Sequence, residues 1–223
     1  FNTCKNAIEN INYVSHQAAL GSVTRSIKDP LTSNEVNING FLNILNCVKN
    51  SKTVIRMVYA ASSSTYGDSK SMPKKEETIG KPLSPYAVTK LVNEIYADVF
   101  EKAYDLKTIG LRYFNVFGPK QFSNNPYAAV IPLFTDSIIN NKIPVINGDI
   151  NISRDFTYVE NVVQANIKAL LINKIECSKV YNVACGQAIS LIEIINNLNS
   201  ILGKKIIPTI GPHRDGDIMH SLA

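Results

Sequence analysis

Short apolar runs rich in β-branched residues alternate along the chain with segments whose apolar positions recur at helical spacing. Strands are predicted within residues 11–19, 53–63, 107–118 and 179–186, and helices over about residues 34–50, from Ser84 onward, and near 127–141. Such alternation is typical of βαβ units, which build a parallel sheet covered by helices on both faces. The pattern therefore predicts an α/β protein whose ligands bind beyond the carboxyl ends of the strands.

The helix that follows Ser84 has clear local signals. Ser84 suits the N-cap, because its hydroxyl can accept a hydrogen bond from a first-turn N–H, and Pro85 suits the first helical position. Apolar residues recur about every four positions along this helix and form one stripe. It consists of Ala87, Leu91, Ile95 and Val99, with Val88 and Val92 beside them. The stripe is predicted to be buried, and the charged residues between its members are predicted to face water.

Polar side chains follow several predicted strands. Ser62 and Ser63 follow one strand, the stretch from His16 to Ala19 follows another, and Asn115 follows a third. Because carboxyl ends of parallel strands share one edge of the sheet, we expect these residues to gather at a ligand site. From residue 118 onward Pro, Asn and Gly become frequent, which predicts loops and short elements that cover the substrate.

The composition indicates a globular protein without a concentrated charge. The chain has 223 residues, 45% of them hydrophobic, which suits one large domain or somewhat more. Its net charge is +5 and its pI about 8.9, but the basic residues are scattered, apart from a run at residues 73–77 that acidic neighbours cancel. A solvated surface is therefore favoured over a nucleic-acid interface.

The cysteines and histidines do not have the spacing of a metal site. No C-x-x-C occurs among Cys4, Cys47, Cys177 and Cys185, and the histidines are His16, His213 and His220. We therefore expect no zinc, no disulfide and a reducing compartment. No apolar run approaches the roughly 18 residues of a membrane span, and no signal peptide is visible, so we expect no membrane partner.

Tyr86 and Lys90 lie four residues apart at the head of the Ser84 helix. That spacing places both side chains on one helix face, one turn apart. The ordinary explanation for such a pair is a surface tyrosine whose ring packs on the lysine side chain. The pair indicates a functional site only if other site residues are found with it.

Four motifs in order carry a family resemblance. They are AASSSTYGD at residues 60–68, Y-x-x-x-K at 86–90, RYFNVFGP at 112–119 and SRDFTYVENVVQA at 153–165. Together they resemble the extended short-chain dehydrogenase/reductase superfamily, in its NAD-dependent epimerase/dehydratase branch. HQAALGSV, SPYAVTK, PYAAVIP and RDGDIMHSLA are most similar to UDP-N-acetylglucosamine 4-epimerases of bacterial surface-polysaccharide pathways. The resemblance runs over essentially the whole chain.

The resemblance implies a Rossmann-like doubly wound parallel sheet that binds NAD, with a smaller α/β substrate-binding part. Residues 1–117 and about 153–190 would belong to the NAD-binding domain, and about 118–152 and 191–223 to the substrate-binding part. Members of the superfamily begin with a strand and a G-x-x-G-x-x-G turn that holds the cofactor pyrophosphate. No three glycines here have that spacing. We therefore expect the N-terminal strands to be missing from this chain, which would be an internal fragment of a longer protein.

The resemblance also implies the catalytic roles. Tyr86 would be the general acid and base, Lys90 its electrostatic partner and a ligand of the cofactor ribose, and Ser62 a hydrogen-bonding helper. A phenol has a pKa of about 10, so work near pH 7 needs about 4 kcal/mol. A cation about 5 Å away at an effective dielectric of about 20 supplies about 3 kcal/mol, and an oxidised nicotinamide could add a similar amount.

Further site residues are implied by the same motifs. The cofactor would contact Ala18, Ala19, Asn37 and Tyr113 as well as Tyr86 and Lys90, with Asn37 equally suited to orienting the central strands or the cofactor without direct contact. The substrate would contact Ser63, Ser64, Phe114, Asn115, Ala129, Val130, Arg154, Arg214, Asp217 and Ser221. Arg154 and Arg214 are the best diphosphate ligands, because a guanidinium matches phosphate oxygens in a bidentate way. His16 is expected to be structural, and core packing is the alternative for Tyr113 and Phe114.

Residues 63 and 64 separate the possible reactions. Nucleotide-sugar 4,6-dehydratases resemble this pattern but carry Asp-Glu there, and UDP-glucuronate decarboxylases usually keep the Glu. Serine cannot act as a carboxylic acid, so oxidation and re-reduction at C4 is favoured. UDP-glucose and UDP-glucuronate 4-epimerases remain open, as does a non-catalytic cofactor-sensing relative, which would have no use for Ser62, Tyr86 and Lys90 together.

Ser221 bears on the choice of sugar. In epimerases restricted to UDP-glucose and UDP-galactose the matching position resembles a gate filled by tyrosine, whereas serine leaves room for an N-acetyl group. The alternative is that Ser221 merely begins the next element. We expect UDP-N-acetylglucosamine and UDP-N-acetylgalactosamine as substrates, surface-polysaccharide synthesis as the role, a cytoplasmic location, and a homodimer in the intact protein.

Overall fold

The computed structural model describes residues 1–124, 127–172, 179–212 and 220–223. The described helices are α1 (Asn2–Ala7), α2 (Val23–Lys28), α3 (Pro30–Asn34), α4 (Gly40–Asn50), α5 (Pro85–Tyr104), α6 (Val130–Ile139), α7 (Val159–Leu171) and α8 (Leu191–Leu202). A π-helical turn (Glu35–Asn39) joins α3 to α4, and a 3-10 turn (Ser63–Tyr66) follows the second strand. The described strands are β1 (Tyr13–His16), β2 (Arg56–Ser62), β3 (Thr108–Tyr113), β4 (Val116–Phe117), β5 (Val145–Asn147), β6 (Ser153–Asp155), β7 (Thr157–Tyr158), β8 (Lys179–Val183), β9 (Ala188–Ser190) and β10 (Thr209–Gly211).

The central sheet is parallel and has the order β1-β2-β3-β8. Alternate residues of β2 pack on opposite sides: Met57 and Tyr59 join a core with α4 and α5, whereas Val58 joins a core with Val162 of α7. Both faces of the sheet are therefore covered, and β2 is buried almost throughout. This confirms the predicted α/β fold with a parallel sheet.

A separate apolar cluster lies in the second half of the chain. Phe134 and Ile138 of α6 pack with Ile146 of β5 and with Leu191 and Ile195 of α8. Strands β5 and β9, which pair with β10 and β6, contribute Ile146 and Ile189 to this cluster. The loops and short elements predicted from residue 118 onward thus have an apolar centre of their own.

Helix α5 begins as predicted. The Ser84 hydroxyl accepts a hydrogen bond from the Ala87 N–H at 3.2 Å, and Pro85 is the first helical residue. The N-cap and first-turn proline thereby place Tyr86 in the first turn of a 20-residue helix.

The prediction that the apolar stripe of α5 is buried is wrong for most of its length. Ala87 is buried, but Ile95 and Val99 are 54% and 48% exposed, and Val88 is exposed as well. The buried face instead carries polar side chains, including Thr89, Lys90, Asn93 and Glu94. Thr89, Lys90 and Glu94 have hydrogen-bond partners in the sheet or in the segment before α4, so their burial follows specific polar contacts rather than the apolar period.

None of the described helices is long and apolar enough to cross a membrane. Cys4, Cys47 and Cys185 are free thiols, and Cys177 and His213 lie outside the described residues. Within the described ranges no group of three or more His, Cys, Asp or Glu side chains is arranged to hold a metal ion.

Candidate active site

A cavity of about 490 Å³ opens at the carboxyl ends of β1, β2 and β3. It is lined by Gln17, Ala19, Gly21, Ser22, Ala60, Ala61, Ser62, Ser63, Tyr86, Lys90, Tyr113, Phe114, Asn115 and Val116. The position is the one that parallel-sheet topology predicts for a ligand. The structure thus brings the three expected catalytic residues, Ser62, Tyr86 and Lys90, to one cavity.

Ser62 is held in an orientation that suits a donor to Tyr86. Its hydroxyl oxygen accepts hydrogen bonds from the Ser64 backbone N–H at 3.2 Å and from the Ser64 hydroxyl at 2.9 Å. Because both bonds are accepted, the proton of Ser62 is left for the phenol of Tyr86, with which Ser62 is hydrogen-bonded. Ser64 therefore turns toward Ser62, whereas Ser63 lines the cavity.

Lys90 is buried beneath the ring of Tyr86. Its ammonium donates to the Ala60 carbonyl at 2.7 Å and lies 5.9 Å from the centre of the Tyr86 ring. Burial lowers the pKa of Lys90 to about 8, against the opposing charge of Glu94. Lys90 is therefore still protonated at pH 7.

The balance of forces on Tyr86 differs from the sequence-based expectation. Burial raises the pKa of the phenol above its usual value of about 10, and the hydrogen bond with Ser62 only partly opposes this. In the chain alone, burial outweighs the help expected from Lys90. A tyrosinate near pH 7 thus requires a further favourable charge in the cavity.

The hydroxyl of Tyr113 is fixed by two amide side chains. It donates to the Gln17 side-chain oxygen at 2.9 Å and accepts from the Asn166 amide at 2.8 Å, while Gln17 and Asn166 are themselves hydrogen-bonded at 3.0 Å. The ring of Tyr113 lines the cavity. Phe114 also lines it but is fully buried against Tyr66, so it serves core and cavity together.

Asn37 is buried and does not line the cavity. Its amide oxygen accepts from the Leu20 N–H at 2.7 Å, and its amide nitrogen donates to the Leu20 carbonyl and to the Thr89 hydroxyl. Asn37 thus ties the segment after β1 to α5. Of the two roles considered for it, these contacts are those of an orienting residue.

The segment after β1 contributes small residues and a neutral histidine. Ala19 lines the cavity, whereas Ala18 is exposed outside it. Burial, and secondarily the charge of Lys90, lowers the pKa of His16 to about 4, and its ring packs 5.6 Å from Phe41. His16 is therefore uncharged at neutral pH, in keeping with the structural role expected for it.

A second cavity of about 740 Å³ adjoins the first, because Ser22 and Asn115 line both. Its wall includes the predicted substrate residues Ala129, Val130 and Arg154, and the start of α6. Lys28 and Arg154 line this cavity, and no carboxylate occurs among the described lining residues. A cationic wall beside a helix N-terminus suits a phosphate-bearing ligand.

Ser221 is buried, and its segment is anchored to β6. The Ser221 N–H donates to the Ser153 carbonyl at 3.2 Å, and the following Ala223 N–H donates to the Asp155 carboxylate at 3.3 Å. On the other side, the Lys74 N–H donates to the Leu222 carbonyl at 2.8 Å. Arg214 and Asp217 lie outside the described residues.

Gln17 was expected near the site only as part of the stretch from His16 to Ala19, and Ser22 was not expected there. Gln17 immediately follows β1, so its position at a strand end was the available signal. Ser22 caps α2 by accepting from the Arg25 N–H at 3.1 Å, and a serine directly before a helical segment was the corresponding signal. Neither signal shows that the side chain reaches the cavity.

Comparison with known proteins gives a consistent result. The model of the NAD dependent epimerase/dehydratase family matches residues 2–184. A putative UDP-glucose 4-epimerase of Methanocaldococcus jannaschii is 31% identical over 211 residues, which are 94% of this chain and 67% of that protein.

Two solved structures are similar over nearly the whole chain. One is a UDP-N-acetylglucosamine 4-epimerase of Methanobrevibacter ruminantium in complex with UDP-N-acetylmuramic acid, with 39% identity, a TM-score of 0.93, and coverage of 99% of this chain and 70% of that one. The other is a UDP-glucuronic acid 4-epimerase of Bacillus cereus in complex with UDP-glucuronic acid and NAD, with 29% identity, a TM-score of 0.92, and coverage of 99% and 68%. The chain thus spans about two thirds of the length of these proteins.

Proposed function

The chain belongs to the NAD dependent epimerase/dehydratase family, and we propose that the whole protein is a UDP-sugar 4-epimerase that prefers N-acetylated hexoses. The observation that carries this proposal is the gathering of Ser62, Tyr86 and Lys90 around one cavity with serines, not carboxylates, at 63 and 64. A cofactor-sensing protein without catalysis would not need that arrangement.

The residues present fit the nicotinamide-ribose end of NAD. Lys90 uses one of its three N–H bonds on Ala60, so further donors are available for ribose hydroxyls. Ala19, Ala60 and Ala61 give the cavity a wall of small side chains. NAD bound there would supply reversible acceptance of hydride from C4 of the sugar. We propose Tyr86, Lys90, Tyr113 and Ala19 as its contacts, with Asn37 orienting the segment that carries Ala19; a contact with Ala18, which lies outside the cavity, stays a prediction.

The chain's own residues move the proton. Tyr86 takes the proton of the sugar 4-hydroxyl while hydride would leave C4 for the cofactor, and it gives the proton back to the 4-keto oxygen when hydride would return to the opposite face of C4, with Ser62 donating to the phenol oxygen. Because burial raises the pKa of Tyr86, the positive charges near it must be close when the proton leaves. Lys90 supplies one such charge from within the protein.

The larger cavity would hold the UDP part of the substrate. We propose Arg154 as a diphosphate ligand there, with Asn115, Ala129 and Val130 beside the sugar and nucleotide. Ser63 and Phe114 line the reaction end. The expected roles of Arg214 and Asp217, and the division into NAD-binding and substrate-binding parts, stay predictions.

The proposed reaction is tested by Tyr86→Phe in the whole protein with UDP-N-acetylglucosamine. We expect turnover to fall at least 1,000-fold, because the phenol exchanges the proton, while the substrate Kd changes less than about threefold. Tyr104→Phe is the matched control, because Tyr104 is exposed on the same helix. A product that has lost water, or turnover that survives in Tyr86→Phe, would contradict the proposal.

Sugar preference is tested at Ser221. Ser221 lines neither of the two described cavities, so its role as a gate rests on the family resemblance. If the position is that gate, Ser221→Tyr should lower kcat/KM for UDP-N-acetylglucosamine at least tenfold more than for UDP-glucose, because the added ring would occupy the space of the acetamido group. Equal losses on both sugars would show that the position is structural.

UDP-glucuronic acid is the second candidate substrate. Lys28 lines the larger cavity, and its positive charge favours an additional negative charge on the ligand there. Lys28→Gln should then lower kcat/KM for UDP-glucuronic acid more than for UDP-N-acetylglucosamine. If UDP-glucuronic acid is not turned over at all, this candidate is discarded.

We propose that a second copy of the protein covers the exposed apolar stripe of α5. Val88, Ile95 and Val99 form a continuous apolar face that monomers rarely expose. Ile95→Lys should convert a dimer to a monomer in light scattering, whereas Lys102→Gln on the same helix should not. A surface-polysaccharide role and a cytoplasmic location stay predictions.

A further inference from the structure

Ser26 is fully buried in α2, and it contacts the backbone of the proposed catalytic tyrosine. Its side-chain oxygen accepts a hydrogen bond from the Tyr86 N–H at 3.0 Å and donates to the Val23 carbonyl at 2.7 Å. Ser26 lines neither of the two cavities described above. It therefore acts on the site only through other residues.

The contact satisfies a group that the helix leaves without an intrahelical partner. The first N–H groups of α5 have no carbonyl partner within the helix; the Ser84 hydroxyl takes that of Ala87, and the Ser84 carbonyl takes that of Val88. The N–H of Tyr86 is taken by Ser26, and its carbonyl accepts from the Thr89 hydroxyl at 2.8 Å. Both polar groups of the Tyr86 backbone are thus held by side chains.

The geometry of Ser26 is directional. Because its proton is committed to Val23, its lone pairs point toward Tyr86. The same short helix is capped by Ser22, which lines both cavities, and contains Lys28, which lines the larger one. One hydrogen bond therefore joins the substrate wall to the first turn of α5.

We propose that Ser26 is a positioning residue that fixes the Tyr86 phenol relative to bound sugar. The inference rests on the function proposed above. Loss of the bond would leave the Tyr86 N–H buried without a partner and allow the first turn of α5 to shift. Misplacement of a reacting group by about 1 Å can cost about 100-fold in rate, so a tenfold or larger fall in kcat is expected.

Ser33 provides a matched control. It is also buried, and its hydroxyl donates to the Asp29 carbonyl at 2.8 Å within its own segment. Ser33→Ala and Ser26→Ala therefore both delete a buried hydroxyl that bonds to a nearby carbonyl. Of these two hydroxyls, that of Ser26 accepts from Tyr86.

The test combines amide hydrogen exchange with steady-state kinetics in the whole protein. In Ser26→Ala, exchange of the Tyr86 amide measured by NMR should accelerate at least tenfold. With UDP-N-acetylglucosamine kcat should fall at least tenfold, KM should change less than about threefold, and the acidic limb of the pH profile should move to higher pH as contact with Ser62 weakens. Ser33→Ala should leave the Tyr86 exchange rate, kcat and the pH profile near the wild-type values. Ser26→Thr keeps the hydroxyl and should have a kcat near that of the wild type.

The possible failures are distinguishable. Equal kcat and pH profiles for Ser26→Ala and Ser33→Ala in an active enzyme would overturn the role of Ser26. If the wild type is inactive, and amide exchange at Tyr86 is faster in Ser26→Ala but not in Ser33→Ala, the proposed function is overturned instead. If Ser26→Ala does not fold, Ser26→Cys replaces it, because a thiol of similar volume is a weaker acceptor, and the same outcomes decide.

Discussion

Replacing Glu94 with glutamine should strongly destabilise the protein, because Glu94 holds a buried arginine of the central sheet. Its two carboxylate oxygens accept from Arg112 at 2.9 Å and 2.7 Å, and the two side chains are 8% and 4% exposed. Arg112 further donates to the Glu76 carbonyl at 3.0 Å and lies 4.8 Å from the Tyr66 ring centre. Glu94→Gln keeps the size of the side chain but leaves the guanidinium charge unpaired.

The magnitude follows from the burial of the pair. Breaking a buried ion pair by removing one partner costs about 3–5 kcal/mol, because the remaining charge is left uncompensated. We expect about 3 kcal/mol, since glutamine retains one oxygen acceptor. In a protein of this size each kcal/mol lowers the melting temperature by about 2–4 °C, so a fall of about 6–12 °C is expected.

Urea unfolding of the wild type, Glu94→Gln and Asp98→Asn provides the assay. Asp98 pairs with Lys102 one turn along α5, but both side chains are largely in water, so Asp98→Asn should cost less than about 0.5 kcal/mol. A loss below about 1 kcal/mol in Glu94→Gln would refute the reasoning. Because the charge of Glu94 raises the pKa of Lys90, the variant should also lower that pKa further below about 8.

Three further substitutions test other parts of the structure. His16→Gln should remove an acid-dependent loss of stability. The pKa of His16 is about 4 in the folded protein and about 6.5 in the unfolded chain, so the unfolded chain binds the proton first as the pH falls. The wild type should therefore lose about 2–3 kcal/mol of unfolding free energy between pH 6.5 and 4, and the variant should not. Arg56→Met should cost about 2 kcal/mol in urea unfolding, because the Arg56 guanidinium donates to three carbonyls at the end of α7; an unchanged midpoint would contradict this. Gly67→Ala should cost at least about 2 kcal/mol in thermal unfolding, because φ of Gly67 is +52° and the new Cβ would lie 1.8 Å from the Lys81 carbonyl oxygen. Gly40→Ala is the control: a Cβ at Gly40 would meet no other atom, so stability should change by less than about 1 kcal/mol.

Local features of the chain were predictable from the sequence. The strand and helix alternation, the N-cap at Ser84 and the position of Tyr86 in the first turn of α5 all depend on neighbouring residues, and the structure has each of them. The spacing of Tyr86 and Lys90 follows from helix geometry alone. The gathering of Ser62 with this pair also follows once the sheet is parallel, because strand ends then meet at one edge.

Contacts between distant segments could not be predicted in the same way. Apolar periodicity indicated a buried stripe on α5, but the face that packs inward was chosen by the partners of Lys90 and Glu94 in the sheet. The direction in which the pKa of Tyr86 shifts depends on the depth of its burial, which no local spacing encodes. The bond from Ser26 to the Tyr86 N–H joins residues 60 positions apart. Local sequence determines which backbone groups a helix end leaves unpaired, whereas the packing of the folded chain determines which side chains reach them.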